Sequence, residues 1–280
     1  MEQSLLKQLK TTAAHVRLGI LEGVYNAKSG HPGGSLSAAD IITYLYFHEM
    51  RIDPKNPKWE DRDRFVLSKG HGAPALYAAL ALKGYFRMEE MAKLRHVGAM
   101  LQGHPDMKGT PGVDMSTGSL GQGISAACGI ALAGKLSKKD YRVYALLGDG
   151  ELEEGQVWEA AMFASHKKLD NLCAFVDYND LQISGHLREV CSPEPIADKF
   201  ETFGFHVISI DGHDFCQIDS AVQEAKSITG KPTVIVAATH KGQGVSFMQD
   251  NVGWHGVAPN TEQYQNAVNE IKQYLEDLEG

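Results

Sequence analysis

The sequence predicts a doubly wound α/β fold, in which a mainly parallel sheet carries helices on both faces. Its apolar segments of strand length are continuous rather than alternating, as in strands that are covered on both faces. From about residue 122 onward these segments alternate with helical ones. The 280 residues suffice for one large core, and the chain contains no repeat, linker or low-complexity tract. One domain is therefore expected over 1–280.

The first part of the chain is mostly helical in pattern. Apolar residues from Leu5 to Ile20 recur at helical spacing and predict an amphipathic helix over 3–27. Glycine and proline in 28–35 are expected to end it, because both interrupt helices. The remaining elements predicted before residue 122 are a helix at 38–48, a strand at 64–68, a helix at 73–82 and a long loop at 97–119.

The second part consists of strand–helix units. The predicted strands are 142–147, 172–177, 205–210 and 233–238, and the predicted helices are 122–136, 157–168, 195–203, 215–229 and 261–278. In such a sheet, ligands bind at the carboxyl ends of the strands. The chemistry is therefore expected in the loops that follow Ser68, Leu147, Asp177 and Ala238.

Composition excludes several classes of function. The chain has 35 acidic and 27 basic residues and a net charge of −8, which disfavours nucleic acid or an anionic membrane as partner. No apolar run approaches the roughly 20 residues that span a bilayer, and the polar start does not resemble a signal peptide. The four cysteines form no CxxC pair and are expected to be reduced and mostly buried, as in a cytoplasmic protein.

The segment Gly148-Asp-Gly-Glu-Leu-Glu-Glu-Gly155 combines a helix N-terminus, which favours an anion, with four carboxylates that repel one. A divalent cation such as Mg²⁺ or Ca²⁺ between Asp149 and a diphosphate would reconcile the two. Asn179 follows the next strand, 30 residues after Asp149 (179 − 149 = 30), so both side chains are expected at the same sheet edge. Taken singly, the two segments also fit an ordinary acidic helix start and a plain turn.

Seven blocks in order along nearly the whole chain resemble the transketolase family of thiamine diphosphate enzymes. They are Ser29-Gly-His-Pro-Gly33, Leu67-Ser-Lys-Gly-His-Gly72, Gln102-Gly-His-Pro105, Ser116-Thr-Gly-Ser-Leu-Gly-Gln-Gly123, Gly148-Asp-Gly-Glu-Leu-Glu-Glu-Gly155, Tyr178-Asn-Asp-Leu-Gln-Ile-Ser-Gly185 and Trp254-His-Gly256. The resemblance implies the thiamine diphosphate-binding fold, thiamine diphosphate as cofactor, and Mg²⁺, Ca²⁺ or Mn²⁺ as the metal.

The resemblance also assigns residues to the site. It implies that Asp149, Asn179 and the backbone oxygen of Leu181 bind the metal, and that Gly150 and His71 contact the diphosphate. Leu120 and Ile183 match the positions that hold the thiazolium in its bent shape. Gly118 matches the backbone near the aminopyrimidine. Ser119, Glu151 and Glu154 complete the cofactor-binding set, and Glu154 and Glu159 match carboxylates near the interface between subunits.

Histidines are the second functional group of the sequence. By the resemblance, His31, His104 and His255 line the channel to the reacting carbon, with His71 beside the diphosphate. Imidazoles suit a reaction that moves protons on and off sugar oxygens, because their pKa lies near neutrality. The roles of His240 and Lys241 remain open, and we assign structural roles to the other histidines, namely His15, His48, His96, His166, His186, His206 and His213.

The family's pyrimidine-binding domain, with the glutamate that contacts the cofactor, has no counterpart in this chain. We expect the N-terminal subunit of a two-chain transketolase rather than a fragment, with a C-terminal partner subunit supplying that domain. Two copies of each chain are expected, with an apolar interface that includes 97–119, the start of the 122–136 helix and 154–162. Such obligate interfaces commonly bury over about 2,000 Å².

The expected activity is transfer of a two-carbon ketol unit from a ketose, or its phosphate, to an aldose. Two alternatives stay open at this point. One is an α-type subunit of another thiamine diphosphate enzyme, either a 2-oxo acid dehydrogenase or a synthase joining pyruvate to an aldehyde. The other is a binding module without catalysis. The particular sugars are not determined by the sequence.

Overall fold

The computed structural model describes residues 1–279 and contains a five-stranded, entirely parallel sheet. The strands are β1 (Arg64–Leu67), β2 (Val143–Gly148), β3 (Leu172–Tyr178), β4 (His206–Asp211) and β5 (Thr233–Ala238). Their order in the sheet is β1-β2-β3-β5-β4. The α-helices of the described chain are α1 (Gln3–Ala27), α2 (Pro32–Tyr44), α3 (Ala73–Lys83), α4 (Gln122–Leu136), α5 (Gly155–His166), α6 (Leu187–Val190), α7 (Ile196–Thr202), α8 (Phe215–Ser227) and α9 (Thr261–Glu279).

Helices cover both faces of the sheet, as predicted. Alternate side chains of β2 show the division: Tyr144 and Leu146 pack with α1, α2, α3, α8 and α9, whereas Ala145 and Leu147 pack with α4, α5 and α7. The central strands β2 and β3 are therefore almost completely buried. The edge strand β4 is half-exposed, so its apolar run is covered less well than the pattern predicted.

The predicted start of the second helix at 38 was wrong, because α2 begins at Pro32 and ends in a π-helical turn at Leu45–Glu49. Proline is tolerated at the first helical position, where its missing N–H is not needed. Gly33 and Gly34 do not break the helix. A Cβ on Gly33 would lie 2.8 Å from both Cγ of Lys241 and the carbonyl oxygen of Trp254, so glycine allows the chain to pack closely here.

Most other elements match the prediction within a few residues, but the short helix α6 was not predicted. The 97–119 segment is a loop without regular secondary structure. Cys128 and Cys173 are buried, Cys216 is half-buried and Cys191 is exposed, so burial of the cysteines is less complete than expected. Within residues 1–279, no helix has the length and apolar character needed to cross a membrane.

Candidate active site

A cleft of about 410 Å³ opens at the carboxyl edge of the sheet. The four loops predicted to carry the chemistry meet there, because the ends of parallel strands share one edge. The loop after β1 contributes Lys69 and His71, and the loop after β2 contributes Asp149. Asn179 follows β3, and Lys241 follows β5. His31, at the start of α2, and His255 complete the wall.

Oxygen atoms of two loops converge at this edge. Asp149 is 3% exposed. Its Oδ2 accepts the N–H groups of Asn179 and Asp180 at 2.8 and 2.7 Å, and its Oδ1 accepts that of Gly150 at 2.8 Å. Burial and the nearby Asp177 carboxylate raise the pKa of Asp149 to about 6. The side-chain oxygen of Asn179 accepts the N–H of Leu181 at 3.3 Å, which fixes the short turn between them.

Two buried lysines form the floor of the cleft. Nζ of Lys69 donates to the carbonyl oxygen of Gly34 at 2.7 Å and pairs with Asp177. Lys241 is 2% exposed. Its Nζ donates to the carbonyl oxygen of Leu181 and to Nδ1 of His255, the latter at 2.9 Å. Among residues 1–279, no carboxylate pairs directly with Lys241, so its ammonium faces the cleft without a direct counter-ion.

Three imidazoles stand together above this floor. The ring centroids of His31, His71 and His255 lie 5.3 to 5.6 Å apart. Burial, together with neighbouring cations, lowers the pKa of His31 to about 4 and that of His255 to about 3. Burial also lowers the pKa of His71 well below its usual value. All three rings are therefore neutral at pH 7, when each can donate one hydrogen bond and accept another.

His104, which the resemblance places in the channel, is not among the residues that line the cleft, although it contacts Gly118, which is. Its ring packs against Gly118, where an added Cβ would lie 2.9 Å from Cγ of His104 and the φ of +143° also favours glycine. Burial and the Arg95 guanidinium lower the pKa of His104. Nη1 of Arg95 also donates to Oγ of Ser29 at 2.7 Å, so one guanidinium joins the loops of His31 and His104.

The apolar positions assigned to the cofactor differ in exposure. Leu120 and Ile183 both line the cleft, and Ile183 is 71% exposed. An apolar side chain so exposed at a cleft can pack against a bound ring. Ser119 is exposed and lies outside the lining, whereas Glu154 is exposed within it. Glu159 is exposed on α5.

Glu151 reaches inward, and its two oxygens are engaged by the protein. One accepts Oγ–H of Ser68 and the N–H of Gly121, and the other accepts the N–H of Gly148 at 3.0 Å. These bonds tie together the loops that follow β1 and β2 and the turn before α4. Burial raises the pKa of Glu151.

Sequence reasoning missed that Lys69 and Lys241 form the floor of the cleft. The Ser68-Lys-Gly-His-Gly72 block contained a signal for Lys69, since a lysine in a glycine-rich loop between a strand and a helix can turn inward. His240 lies outside the cleft, where it pairs with Asp250 at 3.0 Å. Asp214 caps α8, because its side chain accepts the N–H groups of Cys216 and Gln217 at the start of that helix.

The residues present fit a divalent cation and a diphosphate. Carboxylate, amide and backbone oxygens are the ligands that Mg²⁺, Ca²⁺ and Mn²⁺ prefer. Asp149, Asn179 and Leu181 supply one of each, next to the ammonium of Lys241. The N-terminus of the 3₁₀ turn Gly150–Glu153 adjoins them.

Comparison with known proteins identifies the family. Residues 9–275 match the family described as "Transketolase, thiamine diphosphate binding domain". The chain is 50% identical over 264 residues to the 6-deoxy-6-sulfo-D-fructose transketolase subunit SqwG of Clostridium sp. (strain MSTE9), covering 94% of this chain and 96% of that one. It is 43% identical to one of the subunits of the apulose-4-phosphate transketolase of Phocaeicola vulgatus, covering 94% and 93% of the two chains.

Longer transketolases share the same structure. The crystal structure of Campylobacter jejuni transketolase aligns with a TM-score of 0.88 at 34% identity, covering 97% of this chain and 43% of that one. Human transketolase is 45% identical over 256 residues, which are 91% of this chain and 40% of the human one. The chain thus spans less than half of these proteins. It belongs to the transketolase family of transferases, as an N-terminal, thiamine diphosphate-binding subunit of the split type.

Proposed function

We propose that this chain holds the metal–diphosphate end of thiamine diphosphate and, with a partner subunit, transfers a two-carbon ketol unit from a ketose to an aldose. One observation carries the proposal: Asp149, Asn179, Leu181 and Lys241 meet at the sheet edge beneath three neutral imidazoles. Family membership supports it, and the names of the two subunit relatives favour ketol transfer over reactions of pyruvate.

In this proposal Asp149, Asn179 and the backbone oxygen of Leu181 hold the metal, taken to be Mg²⁺, with Ca²⁺ or Mn²⁺ as substitutes. Lys241 balances part of the diphosphate charge, and the neutral ring of His71 and the backbone of Gly150 contact the diphosphate. Leu120 and Ile183 pack against the thiazolium, and Gly118 and Ser119 lie beside the pyrimidine. Glu154 borders the cofactor, and Glu151 holds the loops that surround it.

When bound, thiamine diphosphate supplies the carbon nucleophile that makes and breaks the bond next to the sugar carbonyl. The histidines of this chain donate and accept the protons that the reaction moves. Since Lys241 donates to Nδ1 of His255, the proton of His255 is on Nε2, where it can be donated to a sugar oxygen. Nδ1 of His31 is buried and has no hydrogen-bond partner among residues 1–279. His31 and His104 then exchange protons with the hydroxyls next to the bond that breaks.

We further propose a C-terminal partner subunit that carries the pyrimidine-binding domain and its glutamate, in an assembly of two plus two chains. The support is that the two subunit relatives align along nearly their full length, while single-chain transketolases extend well beyond the aligned region. Met107 and Met162, in two of the segments predicted to meet the partner, are exposed. We also propose that the two-subunit enzyme is cytoplasmic.

The donor is proposed to be a ketose with an anionic group at its far end, because the two subunit relatives are named for a sulfonated and a phosphorylated ketose. The test is ketol transfer to an aldose by the co-purified two-subunit enzyme, with 6-deoxy-6-sulfo-D-fructose and fructose 6-phosphate compared at equal concentration. Product from at least one donor, and none from pyruvate, is expected. Reaction with pyruvate alone would contradict the proposal.

A further inference from the structure

A buried charged network lies outside the set of residues that line the cleft. Its centre is Asp40 of α2, which is 5% exposed. Asp40 receives two hydrogen bonds from Arg17 of α1, at 3.0 and 2.6 Å, and one from Nδ1 of His213 at 2.7 Å. Burial by itself would raise the pKa of Asp40, but Arg17 and His213 balance the carboxylate and hold this pKa down to about 2.

Asp40 orients the ring of His213 in the way that a carboxylate orients a catalytic histidine. However, the second ring nitrogen, Nε2, already has a hydrogen-bond partner. Nε2 of His213 accepts the backbone N–H of His240 at 2.9 Å. With Nδ1 donating and Nε2 accepting, the ring cannot serve as a base toward a substrate. The ring of His240 stacks on it with centroids 5.8 Å apart and 9° between the planes.

The same network also binds the backbone on the C-terminal side of Lys241. Nε of Arg17 donates to the carbonyl oxygen of Gln243 at 3.1 Å. The segment 240–243 is thus bound at both ends by groups that meet at Asp40. Between these anchors stands Lys241, whose ammonium enters the cleft and donates to Leu181 and His255.

The placement of the ammonium depends on this backbone. A lysine side chain has four rotatable bonds, so an unanchored backbone would let it leave a buried position for water. Two backbone contacts also hold the segment: the N–H of Gly242 donates to the carbonyl oxygen of Gly33 at 3.0 Å, and the N–H of Asp250 donates to that of Lys241 at 2.8 Å. The Asp40 network differs from them because the Asp40 carboxylate and the Arg17 guanidinium are charged and buried, which strengthens the hydrogen bonds that these two groups make.

We propose that Arg17, Asp40 and His213 act as positioning residues that fix segment 240–243 and so present Lys241 to the anionic end of the cofactor. This inference rests on the cofactor assignment under Proposed function. It gives His213, which the sequence suggested to be merely structural, a task in cofactor binding. It also accounts for an Asp–His pair whose imidazole has hydrogen-bond partners at both nitrogens.

The first test uses His213→Phe, which keeps the ring volume and removes both hydrogen bonds, in the full chain with its partner subunit. His206→Phe is the matched control, because His206 of β4 pairs with Glu224 of α8 and makes no hydrogen bond to the network. We expect backbone amide exchange over 239–243 to accelerate at least about tenfold in His213→Phe alone. The Kd for thiamine diphosphate with Mg²⁺ is expected to rise about tenfold, as when one charge-assisted bond is lost. Unchanged exchange would overturn the inference.

A double-variant cycle then asks whether His213 acts through Lys241. If it does, His213→Phe combined with Lys241→Met binds thiamine diphosphate no more weakly than Lys241→Met alone. Fully additive losses would overturn the positioning role while leaving the cofactor assignment intact. An unchanged Kd in Lys241→Met would instead refute the assignment of Lys241 to the cofactor. Should His213→Phe fail to fold, His213→Gln, which keeps a polar group beside Asp40, gives the same comparison.

Discussion

Nζ of Lys241 lies 2.9 Å from Nδ1 of His255, and this contact determines which ring nitrogen of His255 carries the proton. An ammonium has only donors, so Nδ1 of His255 must accept and its proton must be on Nε2. Burial and the Lys241 charge together lower the pKa of His255 to about 3. Burial and the Lys69 charge lower the pKa of Lys241 to about 8, which still leaves most of it charged at pH 7.

Replacing Lys241 by methionine should weaken cofactor binding. Methionine keeps much of the side-chain length and removes the ammonium, which has no directly paired carboxylate in residues 1–279. Loss of a charge-assisted hydrogen bond costs about 1.5–3 kcal/mol, or roughly 10- to 100-fold in Kd. Isothermal calorimetry with thiamine diphosphate and Mg²⁺ measures this. Lys226→Met is the control, since Lys226 pairs with Glu49 on the far side of the molecule. Equal losses in both variants would argue against a specific role.

Acid should destabilise the protein through its buried histidines. The folded pKa of His31 is about 4, below the usual 6.5, so the unfolded chain takes up a proton first as the pH falls. The contribution of neutral His31 to stability is complete above pH 6.5 and is lost between about 6.5 and 4. Urea unfolding across this range measures it. His31→Asn should take up roughly one proton fewer on unfolding, whereas His15→Asn, at an exposed site, serves as the control. If the free energy of unfolding depends on pH equally in the wild type and in His31→Asn, the lowered pKa of His31 is contradicted.

Arg95 should influence two histidines at once. After burial, its charge is the next cause that lowers the pKa of His31, and it also lowers that of His104. Arg95→Gln is therefore expected to raise both pKa values toward 6.5. An NMR titration of the imidazole protons measures both pKa values directly. Arg87→Gln, at an exposed pair with Glu89, should leave both titrations unchanged. If neither pKa changes in Arg95→Gln, the Arg95 charge does not act on these two histidines and the prediction is wrong.

The order of strands and helices was predictable because the buried parallel strands are continuous apolar runs. The same logic placed Asp149 beside Asn179, since each follows one of two neighbouring strands and Gly148 pairs with Asp177 in the sheet. The start of α2 was not predictable from local pattern. Pro32 and Gly33 look like helix breakers, yet proline suits the first helical position. The close packing of Lys241 explains why residue 33 is a glycine.

Burial of charged residues was the main feature that the pattern did not reveal. The sequence assigns no role to Lys69 and leaves that of Lys241 open, yet both lysines are almost completely buried. Asp177 balances Lys69, and polar groups surround Lys241. Glu151 was assigned to the cofactor with the rest of its acidic loop. Its inward orientation depends on Ser68 and Gly121, which are distant in sequence. Such pairings follow from the tertiary structure and not from local spacing.

The central claim is that this chain supplies the metal–diphosphate half of a transketolase site. Its most direct test is a calorimetric titration of thiamine diphosphate into the chain together with its partner subunit, with Mg²⁺ and then with a chelator. Asp149→Asn and Asn179→Ala are compared with Asp180→Asn, whose side chain pairs with His186 instead. The account predicts tight, metal-dependent binding that is lost in the first two variants and kept in the third. Metal-independent binding, or unchanged affinity in Asp149→Asn, would contradict it.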